Sequence, residues 1–335
     1  MDATDALNEI AFWLERQVAP SFKVKAFRKA AETIGELSPD ELAARAGDGR
    51  LKGMKGIGNR SHEVIQQALA GQVPDYLARL RESGAAALAA GGETLQLRGD
   101  LHSHTDWSDG GSPVQLMVQT GRLLGREYLA ITDHSPNLTI ANGLSAERLT
   151  RQLAVIDRLN EGSDIRVLKG IEVDILESGE LDQTPEILAE LDIVVASVHS
   201  KLRADEATMT KRMLGAIGNP RTNVLGHCTG RMVQGSRGTR PPSEFDARRV
   251  FAACAENNVA VEINSRPERQ DPPDDLIQLA LEAGCLFSID SDAHAPGQLD
   301  FLQYGAARAV ANGVPAERII TTWPVEELLG WARQG

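Results

Sequence analysis

The chain has 335 residues, 42% hydrophobic and 24% charged, which is enough to bury a full core and, at this length, to make two domains. No apolar run approaches the roughly 18 residues that span a bilayer, and no basic start precedes a hydrophobic stretch with a cleavage site. A membrane or secreted protein is therefore not expected. The net charge of −12 lies wholly in 91–335, because residues 1–90 hold twelve Lys/Arg against twelve Asp/Glu. An acidic body argues against broad nucleic-acid coating, although bound divalent cations would reverse the sign locally. Cys228, Cys254 and Cys285 are odd in number and widely spaced, so neither a disulfide framework nor a C-x-x-C zinc site is indicated, and a reducing cytoplasm is expected.

Residues 1–82 read as short amphipathic helices, with apolar residues at three- and four-residue spacing and Gly or Pro in the gaps. Within them LKGMKGIGNRSHEVI has the pattern of a helix-hairpin-helix. Gly56-Ile57-Gly58 makes the tight turn, and the following helix N-terminus suits a DNA phosphate. Lys52, Lys55 and Arg60 flank it, and Lys23, Lys25, Arg28 and Lys29 form a second basic strip. Cations clustered on a neutral domain are what backbone binding of DNA needs. A simple packing turn is the alternative. The small-residue stretch SGAAALAAGGETLQ places a linker near 83–95, between an all-α domain at 1–85 and a larger domain at 96–335.

From there β-branched runs alternate with helical segments. Seven strands are expected, around 95–103, 127–133, 166–173, 192–199, 222–227, 258–264 and 285–291. Buried strands separated by helices imply a parallel sheet, here a closed or nearly closed barrel, with its site at the carboxyl ends of the strands. Six of the seven histidines fall at those ends, with three carboxylates: His102 and His104 with Asp109, then His134, Glu172, His199 and His227, then Asp292 and His294. Nine such groups are too many for one ion and suit two or three divalent metals. Such ions lower the pKa of bound water from 15.7 to about 7, which points to hydrolysis. Arg231 and Lys201, two to four residues past ligands, are candidate phosphate clamps, with Arg266 a third.

The strings H-x-H-T-x-x-S-D-G, I-T-D-H-S, G-I-E, S-V-H-S, G-H-x-T-G-R, E-I-N and S-D-A-H, in this order over about 98–310, resemble the PHP (polymerase and histidinol phosphatase) domain. The resemblance implies an α/β fold, a distorted seven-stranded (βα)7 barrel, and three ions of zinc, manganese or iron. One would be held by His102, His104, Glu172 and Asp292, a second by Asp109, His134 and His294, and a third by Glu172, His199 and His227 with Glu172 bridging. Cys228 stands where bacterial family X polymerases usually carry proline, and is read as a small core residue. PSFKVKAFRKAAETI with the G-I-G hairpin resembles the lyase-type N-terminal domain of family X DNA polymerases. The lysine that forms the Schiff base in that family is replaced by Val64, so no lyase chemistry by that route is expected. His62, on the same helix, is read as exposed or DNA-facing. The short 83–97 segment leaves no room for a polymerase palm.

Together these features point to a metal-dependent phosphoesterase, acting on DNA 3′ ends as a 3′-5′ exonuclease or end-processing repair enzyme. A phosphatase of a small phosphomonoester such as histidinol phosphate is the alternative. A non-catalytic interaction module is disfavoured, because no ligand is missing. Expected partners are DNA or a small phosphorylated substrate, and no membrane.

Overall fold

The structure is a computed structural model describing residues 1–91, 95–235 and 238–334, and the chain divides into two compact units, Met1–Ala87 and Leu88–Gly335. Of the expected linker at 83–95, residues 92–94 lie outside the described residues. Among the described residues no helix is long and apolar enough to cross a membrane.

The first unit is built of five helices: α1 Ala3–Arg16, α2 Ser21–Gly35, α3 Pro39–Gly47, α4 Asn59–Leu69 and α5 Asp75–Gly84. Local chemistry sets their starts. Asp2 accepts from the amides of Thr4 and Asp5, and Ser38 caps α3 just before Pro39. Their apolar stripes meet in one core of Leu7, Ile10, Ile34, Ile65 and Leu77, joined by Leu51 from the turn before α4, all essentially inaccessible. Two members of the second basic strip are not free. Lys29 pairs with Glu32 at 2.9 Å. Arg28 forks onto Glu15 at 3.0 and 2.8 Å and reaches Asn8, so it ties α2 to α1.

The second unit has seven parallel strands in chain order: β1 Gly99–Asp100, β2 Tyr128–Ile131, β3 Arg166–Asp174, β4 Ile193–Ser197, β5 Val224–Leu225, β6 Ala260–Asn264 and β7 Phe287–Asp290. Between and after them come α6 Val114–Leu123, α7 Ala146–Asn160, α8 Pro185–Leu188, α9 Glu206–Ile217, α10 Ala247–Glu256, α11 Asp274–Glu282, α12 Leu302–Ala311 and α13 Val325–Ala332. The seven strands lie where the sequence places them, and the barrel is nearly closed. At the seam between first and last strands the His104 amide donates to Ala293 O at 2.7 Å, and Leu101 N donates to the Asp290 carboxylate at 2.9 Å.

Strand alternation sorts the core into two layers. Leu129, Ile131, Val194 and Ala196 face the helices, whereas Tyr128, Ala130, Ile193 and Val195 fill the barrel with Leu101, Leu168 and Val224. Ile320, Leu328 and Trp331 join that inner cluster. β1 and β5 are only two residues long, shorter than the sequence suggests. Beyond them carboxylates replace carbonyls as amide partners: His102 N bonds Asp100, and His227 N bonds Glu262.

α12 lies close against the barrel at Gly305, where a Cβ would fall 2.2 Å from Ser265 Oγ and 2.7 Å from Ile289 Cγ2. Gly305→Ala is therefore expected to destabilise the protein by about 1–3 kcal/mol through overpacking. Denaturant unfolding checks this, and an unchanged midpoint would contradict it.

Candidate metal centre

Strand ends deliver the candidate ligating side chains. His102 and His104 follow β1, His134 follows β2, His199 follows β4, His227 follows β5, and Asp292 and His294 follow β7, while Glu172 lies within β3. The structure brings all nine candidates together, with Glu172 at the centre. Its Oε1 lies 3.1 Å from His199 Nε2 and 2.8 Å from His227 Nε2. Its Oε2 lies 2.8 Å from His134 Nδ1, 3.3 Å from His102 Nε2 and 3.5 Å from His104 Nε2. Asp292 Oδ1 is 3.4 Å from His104 Nε2, and Asp109 Oδ1 lies 3.5 Å from His134 Nε2 and 3.4 Å from His294 Nε2.

Three groups have ligand atoms mutually within 4.8 Å: His104, Asp109, His134 and His294; His102, His104 and Asp292; and His134, Glu172 and His199. His104 and His134 are thus each shared between groups, and His227 joins through Glu172 and through ring contacts with His102 and His199.

These residues fit a set of cations. Both ring nitrogens of His104 and Nδ1 of His227 are buried without a hydrogen-bond partner. Leaving such atoms unmade costs about 1–3 kcal/mol each. The charges also lean on one another. Burial works to raise the Glu172 carboxyl, but the charges of His199, His102 and His134 override it and hold it well below its usual range. Asp292 is lowered likewise, against burial, by Arg269 and His102. Burial lowers His104 well below the ordinary imidazole value, reinforced by His294 and His134. His199, against the effect of burial, is pushed up to about 9 by Glu172 and Asp174. Divalent ions bound here would supply the positive charge that these carboxylates otherwise draw from imidazolium.

A ring of buried aspartates shapes the loops that carry the ligands. Asp133 accepts from Thr105 N and Oγ1, from Ser108 N and Oγ, and from Gln152, fixing the turn that leads into Asp109. Asp271 accepts from Thr229 N and Oγ1 and from Arg231 N, fixing the loop after His227. Asp292 itself sits in the left-handed region at φ 50, strain that is concentrated at a functional turn.

The three suggested phosphate clamps fare differently. The Arg231 guanidinium is engaged by the carbonyls of Arg269 and Gln270, so it braces a loop. Lys201 is exposed, at φ 53, two residues past His199, with no side-chain bond among the described residues. The loop that Arg231 braces presents Arg266, the third candidate, and with it Arg269. Arg269 Nε meets Asp292 Oδ2 at 3.0 Å, and Arg266 lies 3.2 Å from Asp292 O and 3.0 Å from His294 Nδ1. Arg269 has no spacing signal in the sequence. Cys228 is buried in the apolar core with its Sγ toward Asp271, and burial raises its thiol well above the ordinary value.

In the N-terminal unit the hairpin forms as read. Gly56 has φ 100, and a Cβ there would meet Thr33 Oγ1 at 2.8 Å. Gly58 begins α4 with no side chain capping it, and Ser61 Oγ takes the Gly58 amide at 2.9 Å. Lys52 and Lys55 are exposed and without ion pairs among the described residues. Arg60 is paired with Glu63 at 2.9 Å and lies over Tyr76, an exposed pairing worth under about 1 kcal/mol. Val64 is fully buried in this core, and His62 is half-buried.

Comparison with known proteins matches a PHP domain over residues 100–266 and a helix-hairpin-helix domain over 1–73. A DNA polymerase/3'-5' exonuclease PolX of Bacillus subtilis is 40% identical over 237 residues, 70% of this chain. The chain spans about two fifths (41%) of that relative's length. A probable phosphatase of Vibrio atlanticus is 28% identical over 247 residues, 70% of this chain and 93% of that protein. Among solved structures, the histidinol phosphate phosphatase of Lactococcus lactis complexed with zinc, L-histidinol and phosphate aligns with a TM-score of 0.43 and 16% identity, covering 71% of this chain and 91% of that one.

Proposed function

Because this chain belongs to the PHP-domain phosphoesterases and carries a helix-hairpin-helix domain as well, we propose that it hydrolyses phosphoester bonds at DNA 3′ ends, as a 3′-5′ exonuclease or 3′-end-processing enzyme of DNA repair in the cytoplasm. The observation that carries the reading is the convergence of six imidazoles and three carboxylates around Glu172, in a chain that also offers an uncapped helix N-terminus flanked by free lysines. His102, His104, Glu172 and Asp292 would hold one ion, Asp109, His134 and His294 a second, and Glu172, His199 and His227 a third, drawn from zinc, manganese or iron. Bound there, such ions supply a neutral-pH nucleophile from water and charge stabilisation at phosphorus.

The chain's own groups do the rest. Burial of His102, His104 and Glu172 keeps bulk water from the floor of the site. Arg266 and Arg269 stand beside Asp292 as forked donors for non-bridging phosphate oxygens, with Arg231 bracing their loop and Lys201 free at the rim. In the first unit Gly56 and Gly58 let a DNA backbone approach the α4 N-terminus, and Lys52, Lys55 and Arg60 add charge.

Replacing Lys52 and Lys55 together with alanine is expected to weaken binding of duplex DNA at low salt and to reduce the slope of log K against log salt by about 2. Binding isotherms over a salt series check this, and an unchanged slope would remove the hairpin from the argument.

A second reading, a phosphatase of a small phosphomonoester, is favoured by the near-complete span of the Vibrio relative. One manganese-loaded preparation given a 3′-labelled oligonucleotide and histidinol phosphate separates the two. Faster turnover of the oligonucleotide is expected, and preference for histidinol phosphate would overturn the DNA assignment.

A further inference from the structure

Six of the seven strands end in or carry a ligand of the centre, and β6 does not. Its E-I-N run instead buries two polar side chains, Glu262 and Asn264, both fully inaccessible and two residues apart on one face. Glu262 Oε1 lies 2.6 Å from His102 Nδ1, while its Oε2 accepts from the His227 amide and from Asn264 Nδ2. Asn264 Nδ2 also donates to Asp292 Oδ2 at 3.1 Å, and its Oδ1 accepts from Arg266 N at 3.1 Å, which fixes the amide's orientation. β6 therefore touches ligand residues of three other strands without supplying one.

We infer that β6 is the orienting strand of the centre, with Glu262 a positioning residue that holds the proton of His102 on Nδ1 and so presents Nε2 to an ion, and Asn264 holding Asp292. The inference rests on the metal-centre reading above. An ionised carboxylate only accepts, so a 2.6 Å contact to a ring nitrogen requires the proton on that nitrogen. The opposite nitrogen, His102 Nε2, forms no hydrogen bond and lies 3.3 Å from Glu172 Oε2 and 4.0 Å from Asp292 Oδ1. A ring nitrogen set between two carboxylates, with the other nitrogen engaged by Glu262, is placed where a cation would take over its proton's position. Carboxylates placed behind a metal-bound imidazole are worth about 10–100-fold in metal affinity.

The test uses the full chain, loaded with zinc. Glu262→Gln keeps the volume, but its amide cannot accept from both His102 and His227. Calorimetric titration is expected to show one ion bound about 10–100-fold more weakly, the others unchanged, and the metal-free protein still folded by circular dichroism. In the unsubstituted zinc protein, nitrogen-coupled NMR is expected to show a hydrogen-bonded proton on His102 Nδ1, a readout that needs no variant to fold. Wild-type affinity for every ion in Glu262→Gln, or a His102 without a proton on Nδ1, would overturn the inference. An unsubstituted protein that takes up no zinc would instead overturn the metal-centre reading, and this inference with it.

Discussion

Glu172→Gln is expected to abolish hydrolysis, lowering kcat/KM by about 10³-fold or more, while DNA binding through the helical domain persists. The size follows from position. Glu172 is buried and lies within 3.5 Å of ring nitrogens from five histidines, so no other carboxylate among the described residues touches as much of the centre. Glutamine matches its volume, so packing survives. Its amide, however, turns one anionic oxygen into a donor facing imidazole nitrogens and removes the charge two ions would share. Losing one ion's contribution of several kcal/mol at the transition state gives that factor, at about 1.4 kcal/mol per tenfold. Asp292→Asn and His102→Ala should act in the same direction, since Asp292 meets His104 and His102 joins Glu172 to Glu262. Oligonucleotide turnover by each variant, alongside metal content, is the check. Near-native turnover by Glu172→Gln would mean the chemistry lies elsewhere.

Chelation is expected to lower the melting temperature of the barrel by on the order of 10 °C and to leave the helical unit's transition in place. Ligands gathered from six strands are apart in the unfolded chain, so metal binding free energy is folding free energy for the unit that holds them. One ion at a thousand times its dissociation constant contributes about 4 kcal/mol, and for a unit of this size each kcal/mol moves the midpoint about 2–4 °C. The first unit, Met1–Ala87, has its own core and holds none of the nine groups. Calorimetric scans with and without EDTA read the two transitions, and a barrel indifferent to EDTA would contradict the linkage.

The strands and the cluster were legible because a single rule generates both. In a parallel barrel the last inward residue of each strand reaches one mouth, so an imidazole or carboxylate at the end of an apolar run announces itself. Groups that act through hydrogen bonds across strands give no such signal. Glu262 lies beside His102 because β6 and β7 pair in one register and the seam closes β7 onto β1. No sequence spacing encodes that pairing. Arg231 shows the converse: proximity to His227 in sequence suggested a phosphate clamp, yet a neighbouring loop's carbonyls capture its guanidinium and leave Arg269 against Asp292. Arg28 reads as part of a basic strip, but Glu15 one helix away neutralises it. The shortness of β1 and β5 was hidden for the same reason, since side-chain carboxylates, not periodicity, decide where those ladders end.

The most direct measurement is the metal content of the full chain, purified without chelator and reconstituted with manganese or zinc. Elemental analysis should find two to three transition ions per molecule, lost in Glu172→Gln. Fewer than two ions in the reconstituted wild type would contradict the account at its base.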